Sequence, residues 1–172
     1  MFNRLNNTRF IFNQIRTLSR YSKNDQIFVH DISNNKYKFC LTSNPTSLPI
    51  GYSKTKDPSP QDFQPEDQFL PILHKLISEE IENDFSFIME AGMNVSSFMP
   101  IYDFREIPEY ARIPEVDSIF GYVQVDDKGK IIPSTYQEND SYRLIDGVNG
   151  LIKLSDFLYD KMKLKCDNHK VT

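Results

Sequence analysis

Apolar and polar positions alternate most clearly in "SIFGYVQVDDKGKIIPSTYQENDSYRLI", residues 118–145. Ile119, Gly121, Val123 and Val125 fall on one side of an extended chain, and Phe120, Tyr122 and Gln124 on the other. Asp126 to Gly129 reads as a turn, and Lys130 to Ile132 starts a return strand that Pro133 interrupts. Ser141 to Ile145 predicts a further short strand before the turn Asp146–Gly150. A second alternating stretch, "QIFVHDISNNKYKFCLT" at 26–42, predicts a hairpin turning at Ser33-Asn34-Asn35, because adjacent asparagines tolerate the left-handed backbone of a tight turn.

The periodicity changes in "DQFLPILHKLISEEIEN", where Leu70, Leu73, Ile77 and Ile81 recur at three- and four-residue spacing and Leu76 widens the stripe. That spacing predicts a helix over about 66–83, with Pro71 tolerated in its first turn. Glu79, Glu80 and Glu82 crowd its C-terminal end against the helix dipole, so packing must hold it. "DFSFIMEAG" alternates Phe85, Phe87 and Met89 against Ser86, Ile88 and Glu90 and reads as a strand, or as continued helix closed by Gly92. A last helix fits 156–165, with Ser155 as N-cap and Leu154 placed to staple against Tyr159.

Between these elements lie two proline-punctuated segments. Six of the ten prolines fall between Asn44 and Pro71, which makes 44–65 an extended connector with Leu48, Ile50, Tyr52 and Phe63 as anchors onto the core. "MNVSSFMPIYDFREIPEYARIPEVD" is the second. Within its residues 98–114, Tyr102, Phe104, Arg105, Tyr110 and Arg112 are the types enriched at protein interfaces, on a chain that proline stiffens. They are the candidate partner-binding residues; the competing reading is that the segment wraps the sheet and its aromatics complete the core. The expected fold is α+β, a small antiparallel sheet of four or five short strands with two packed helices, forming one domain over 23–172.

Charge separates the first residues from that domain. Arg4, Arg9, Arg16, Arg20 and Lys23 precede the first acid, Asp25, so the remainder of the 172-residue chain holds 15 basic against 24 acidic groups. A body that acidic repels phosphate backbones, and no direct nucleic-acid partner is expected. No run of 18 apolar residues exists, so no membrane-spanning helix is expected.

On a helical wheel, residues 1–21 place Leu5, Ile11, Phe12, Ile15 and Leu18 in one broad arc and Arg9, Arg16 and Arg20 opposite. Amphipathic, arginine-bearing and free of acid, residues 1–22 resemble a cleavable mitochondrial matrix presequence, which implies a matrix location. Arg16-Thr17-Leu18 before Ser19, and Arg20-Tyr21 before Ser22, are the two candidate processing sites, with a mature start between Ser19 and Lys23.

Reaction chemistry is sparse. His74 has Glu79 and Glu80 at five and six residues rather than the three or four that align side chains on a helix. Cys40 and Cys166 are far apart and show no paired zinc spacing, and the glycines form no phosphate loop, so neither a metal nor a cofactor is expected. The sequence leans toward a noncatalytic accessory or assembly protein of a mitochondrial matrix complex, working through protein–protein contacts. The alternative is a small enzyme or small-molecule binder whose site gathers His74, Cys40 and carboxylates from distant positions.

Overall fold

The computed structural model describes residues 17–33, 35–109 and 112–169, and it is a mixed α+β fold of antiparallel sheets and three helices. Strands β1 (Leu18–Tyr21), β2 (Asn24–Ser33), β3 (Lys36–Cys40), β4 (Gly51–Ser53) and β5 (Gln64–Pro65) form one sheet in that order, every neighbour antiparallel. The 26–42 hairpin is β2–β3, and Asn35 takes the left-handed conformation (φ 57°) that the paired asparagines predicted. The proline-rich connector does anchor through Leu48, Ile50 and Phe63, all buried, and it also supplies the two short strands β4 and β5 at the sheet's edge.

Helix α1 (Phe69–Glu80) follows, ends in a 3₁₀ turn at Ile81–Asn83, and is followed directly by α2 (Phe85–Ala91). The strand reading of 85–91 is therefore corrected to a helix. The physical reason lies in Asp84, whose carboxylate accepts the Ser86 N–H at 3.0 Å and caps the first turn, while Phe87 and Ala91 bury at helical spacing. β6 (Phe98–Tyr102), β7 (Ile119–Val125) and β8 (Ile131–Glu138) form a second antiparallel sheet in the order β6-β7-β8. β6 is a strand where the sequence suggested only connector; Pro100 sits within it because an edge strand tolerates a residue without an N–H.

Pro133 likewise does not end β8. The ladder pairs Gln124 with Ile132 and then Tyr122 with Gln137, so residues 133–136 bulge outward, and the Thr135 hydroxyl accepts the Gln124 N–H at 2.8 Å in place of a ladder carbonyl. The strand expected at 141–145 shrinks to β9 (Ile145–Asp146), paired with β10 (Gly150–Leu151). Helix α3 (Asp156–Asn168) closes the described chain, with the Ser155 hydroxyl accepting the Leu158 N–H at 3.2 Å as its cap.

One buried cluster runs from Tyr21 to Cys166 and joins both sheets and all three helices. Its polar stitches are specific: the Gln26 side chain donates to the Leu154 carbonyl (2.8 Å) and accepts the Leu154 N–H (2.9 Å), as another strand would. Among the described residues, no helix is long and apolar enough to cross a membrane.

The start of the fold differs from the expected boundary at residue 23. Residues 1–16, with Arg16 of the candidate processing site, lie outside the described residues. Leu18, Ser19, Arg20 and Tyr21 are strand rather than helix, because β2 offers them backbone partners from His30 to Asn24. Tyr21 is buried and packs edge-on against Phe39 at 5.9 Å, whereas Ser22 is exposed. Gly150 must stay a glycine beneath it, since its φ is +82° and a Cβ there would lie 2.2 Å from the Tyr21 hydroxyl.

Candidate interaction surface

The 98–114 segment divides between interior and surface. Tyr102 is buried, and Phe104 packs on it (5.6 Å) and on Phe87 of α2 (5.8 Å). The Arg105 side chain is 2% exposed and lies between two carboxylates, Asp103 at 3.4 Å and Asp146 at 3.3 Å. Its terminal nitrogens donate to the carbonyls of Gly150 (3.1 Å), Asp117 (3.4 Å) and Arg143. Burial pushes the Asp103 carboxyl up, and Arg105, two backbone N–H groups and the Tyr142 hydroxyl at 2.8 Å draw it back. Three of the five candidate partner residues thus hold the fold together. Tyr110 lies outside the described residues, and Arg112 is exposed and ion-paired with Glu109 at 3.6 Å.

Outward-facing apolar groups gather instead around α2. Phe85 (72% exposed), Ile88 and Met89 (60%) form one face of the helix while Phe87 and Ala91 form the buried one. A helix that is apolar on both faces is complete only when both are covered. Beyond its C-terminus Met93 is exposed too, and it lines a groove of about 490 Å³ with Ile107, Ile113, Pro114 and Arg112. Tyr102 and Glu90 form part of the groove wall, joined by a hydrogen bond from the hydroxyl to the carboxyl; burial raises the pKa of both.

This face is held in place before anything binds. Asp84, which caps α2, also accepts a hydrogen bond from Ser155, the cap of α3, so the two helix starts share a buried carboxylate. Preorganised apolar surface of this kind lowers the ordering cost of association.

The second concave feature opens between α1 and β8. The bulge at 133–136 brings the Tyr136 hydroxyl to 2.8 Å from His74 Nδ1, and Gly121 leaves room for the ring, since a Cβ there would lie 2.7 Å from it. His74, Tyr136, Glu138 and Asp140 line a cleft of about 600 Å³. Burial lowers the His74 pKa from 6.5, against the upward pull of Glu138 and Asp140. The imidazole is neutral at neutral pH and can exchange a hydrogen bond with Tyr136, whose own pKa burial raises, so neither group is set up as a strong acid or base.

Cys40 does not share that cleft. It is fully buried, its thiol pushed up to about 12 by burial, as is that of Cys166. The arrangement that the enzymatic alternative needed, His74 with Cys40, is not formed. Among the described residues no three His, Cys, Asp or Glu side chains come close enough to hold a metal ion.

Phe85, Ile88 and Met89 were missed as surface residues because a strand reading hides them: alternation puts Phe85, Phe87 and Met89 on one buried side. The available signal was apolar residues at both i, i+2 and i, i+4 spacing with an Asp just before them, a helix with two apolar faces. Compared with known proteins, the chain matches no family model, no curated protein and no solved structure, so its function is argued from these surfaces.

Proposed function

We propose that the protein is a noncatalytic accessory or assembly factor of a mitochondrial matrix complex, working through protein–protein contact at the α2 face. The observation that carries this reading is the group of exposed Phe85, Ile88, Met89, Met93, Ile107 and Ile113 on and beside a rigidly capped helix. Isolated surface apolar residues are ordinary, but a group of six around one groove suits a protein partner. The matrix address rests on the acid-free, arginine-bearing start of the chain. A cut before Ser19 fits the fold better than one before Ser22, because Tyr21 belongs to the core.

The test is affinity isolation of the C-terminally tagged chain from purified mitochondria, with its amino terminus sequenced in the same sample. A stoichiometric partner that disappears with the double substitution Phe85→Ser and Met89→Ser, on a chain beginning at Ser19, is expected. Recovery of a partner-free monomer, or a partner retained by the double variant, overturns the contact reading; a cytosolic chain starting at Met1 overturns the address.

A further inference from the structure

The charge around the α2 face indicates what covers it. Between Lys75 and Lys128 the chain has no lysine and no histidine, and it has two arginines against twelve carboxylates. Arg105 is buried among carboxylates and Arg112 is paired with Glu109, so neither offers a free cation at this face. Glu79 and Glu80 are matched by Lys165 and Lys161 of α3, and Asp84 and Asp103 are buried. Exposed Glu82, Glu106, Glu109 and Glu115 and half-buried Glu90 remain, flanking Phe85–Met89 on one side of the sequence and Ile107–Ile113 on the other.

Resting on the contact reading above, we propose that the α2 face docks a basic amphipathic segment of a partner protein. Its apolar stripe covers Phe85, Ile88, Met89 and Met93 and enters the groove at Ile107 and Ile113, while its lysines or arginines meet the glutamates. This is helix-in-groove recognition with an acidic rim. The apolar contacts supply most of the affinity, and the rim selects charge and speeds encounter. An acidic or neutral helix with the same apolar stripe lacks those rim contacts, and an acidic one is also repelled.

The probe is a fluorescent 18-residue peptide with leucines on one helical face and lysines on the other, added to the full chain and read by anisotropy. Two controls share the experiment: the same helix with glutamate for lysine, and a scrambled lysine–leucine peptide without an apolar stripe. The expected result is binding of the amphipathic lysine peptide at least tenfold tighter than either control. That binding should weaken tenfold or more in Phe85→Ser with Met89→Ser. It should weaken three- to tenfold in Glu106→Gln with Glu109→Gln and Glu115→Gln, and fall with added salt as screening shortens the reach of the rim.

Equal binding of the glutamate peptide, or no loss in the triple glutamine variant, overturns the basic partner while leaving a contact surface of other chemistry. Equal binding of the scrambled peptide overturns the docking of a stripe. If the chain self-associates and Phe85→Ser with Met89→Ser abolishes the dimer, a second copy is the occupant and the inference fails. Probe binding that requires replacement of Arg4, Arg9 and Arg16 by glutamine assigns the face to the chain's own first residues and also overturns it. Circular dichroism of each variant, expected to match the unsubstituted chain, keeps loss of binding distinct from loss of fold.

Discussion

The seam between α1 and α3 and the outer face of α2 are both helical surfaces beside carboxylates, yet one is closed and the other open. At the seam, Lys165 meets Glu79 at 3.1 Å and Lys161 meets Glu80 at 3.3 Å, so the acids that crowd the end of α1 are answered by lysines from the last helix. At α2 no lysine arrives, and Phe85 and Met89 stay in solvent. The contrast teaches that acid-rich segments of one chain need different explanations: those of α1 complete an internal contact, and those around α2 surround apolar surface that nothing in the described fold covers.

The largest effect is expected from removing what holds the open face in shape. Arg105 ties Asp103 to Asp146, and Phe104 beside it packs on Phe87 of α2. Arg105→Met strands two carboxylates, one fully buried, and a buried pair broken from one side typically costs about 3–5 kcal/mol. Urea denaturation should show that loss. A loss below about 1 kcal/mol would mean that water reaches Asp103 and Asp146 and that the network is not what shapes the open face.

A smaller effect joins α1 to the second sheet through His74. Its pKa is lowered by burial, and that of His30 is lowered by the same cause, so the unfolded chain takes up protons first as pH falls. Stability therefore stays level above pH 6.5 and declines as pH drops below it, before the carboxylates titrate near pH 4. One histidine contributes a slope of at most about 1.4 kcal/mol per pH unit. His74→Gln should flatten part of the decline between pH 7 and 5.5, and His30→Gln another part. An unchanged slope in His74→Gln would show that Glu138 and Asp140 outweigh burial and leave its pKa near the ordinary value.

How much of this was legible in the sequence follows from where each element's information is held. β2, β3, β7, α1 and α3 were readable because their patterns are local: alternation, an apolar stripe, a serine before the helix. β6 was not, since Pro100 argues against a strand and only the edge position beside β7 makes it harmless. The 85–91 segment was ambiguous because seven residues satisfy both periods, and the Asp84 to Ser155 hydrogen bond that settles it spans 71 residues. Arg105 was noticed for the right chemistry and assigned the wrong setting. Its carboxylate partner Asp146 lies 41 residues further on, in what the sequence showed only as a turn.

The smallest expected effect tests the closed side of the comparison. Lys161 and Lys165 are each about two-fifths exposed, so their pairs with Glu80 and Glu79 are surface ion pairs made across helices, worth roughly 0.2–1 kcal/mol apiece. Lys161→Ala with Lys165→Ala should lower stability by about 1 kcal/mol at low salt and by less at high salt, because the Debye length falls to about 3 Å at 1 M. The Lys161 stem also lies over the Phe157 ring at 5.4 Å, so part of the loss should survive in salt. Binding of the basic peptide should tighten slightly in this variant, since Glu79 and Glu80, freed from their lysines, add negative potential close to Glu82 and the start of α2. A weakened peptide would mean that the seam and the open face share packing rather than field, and the two surfaces would have to be treated as one.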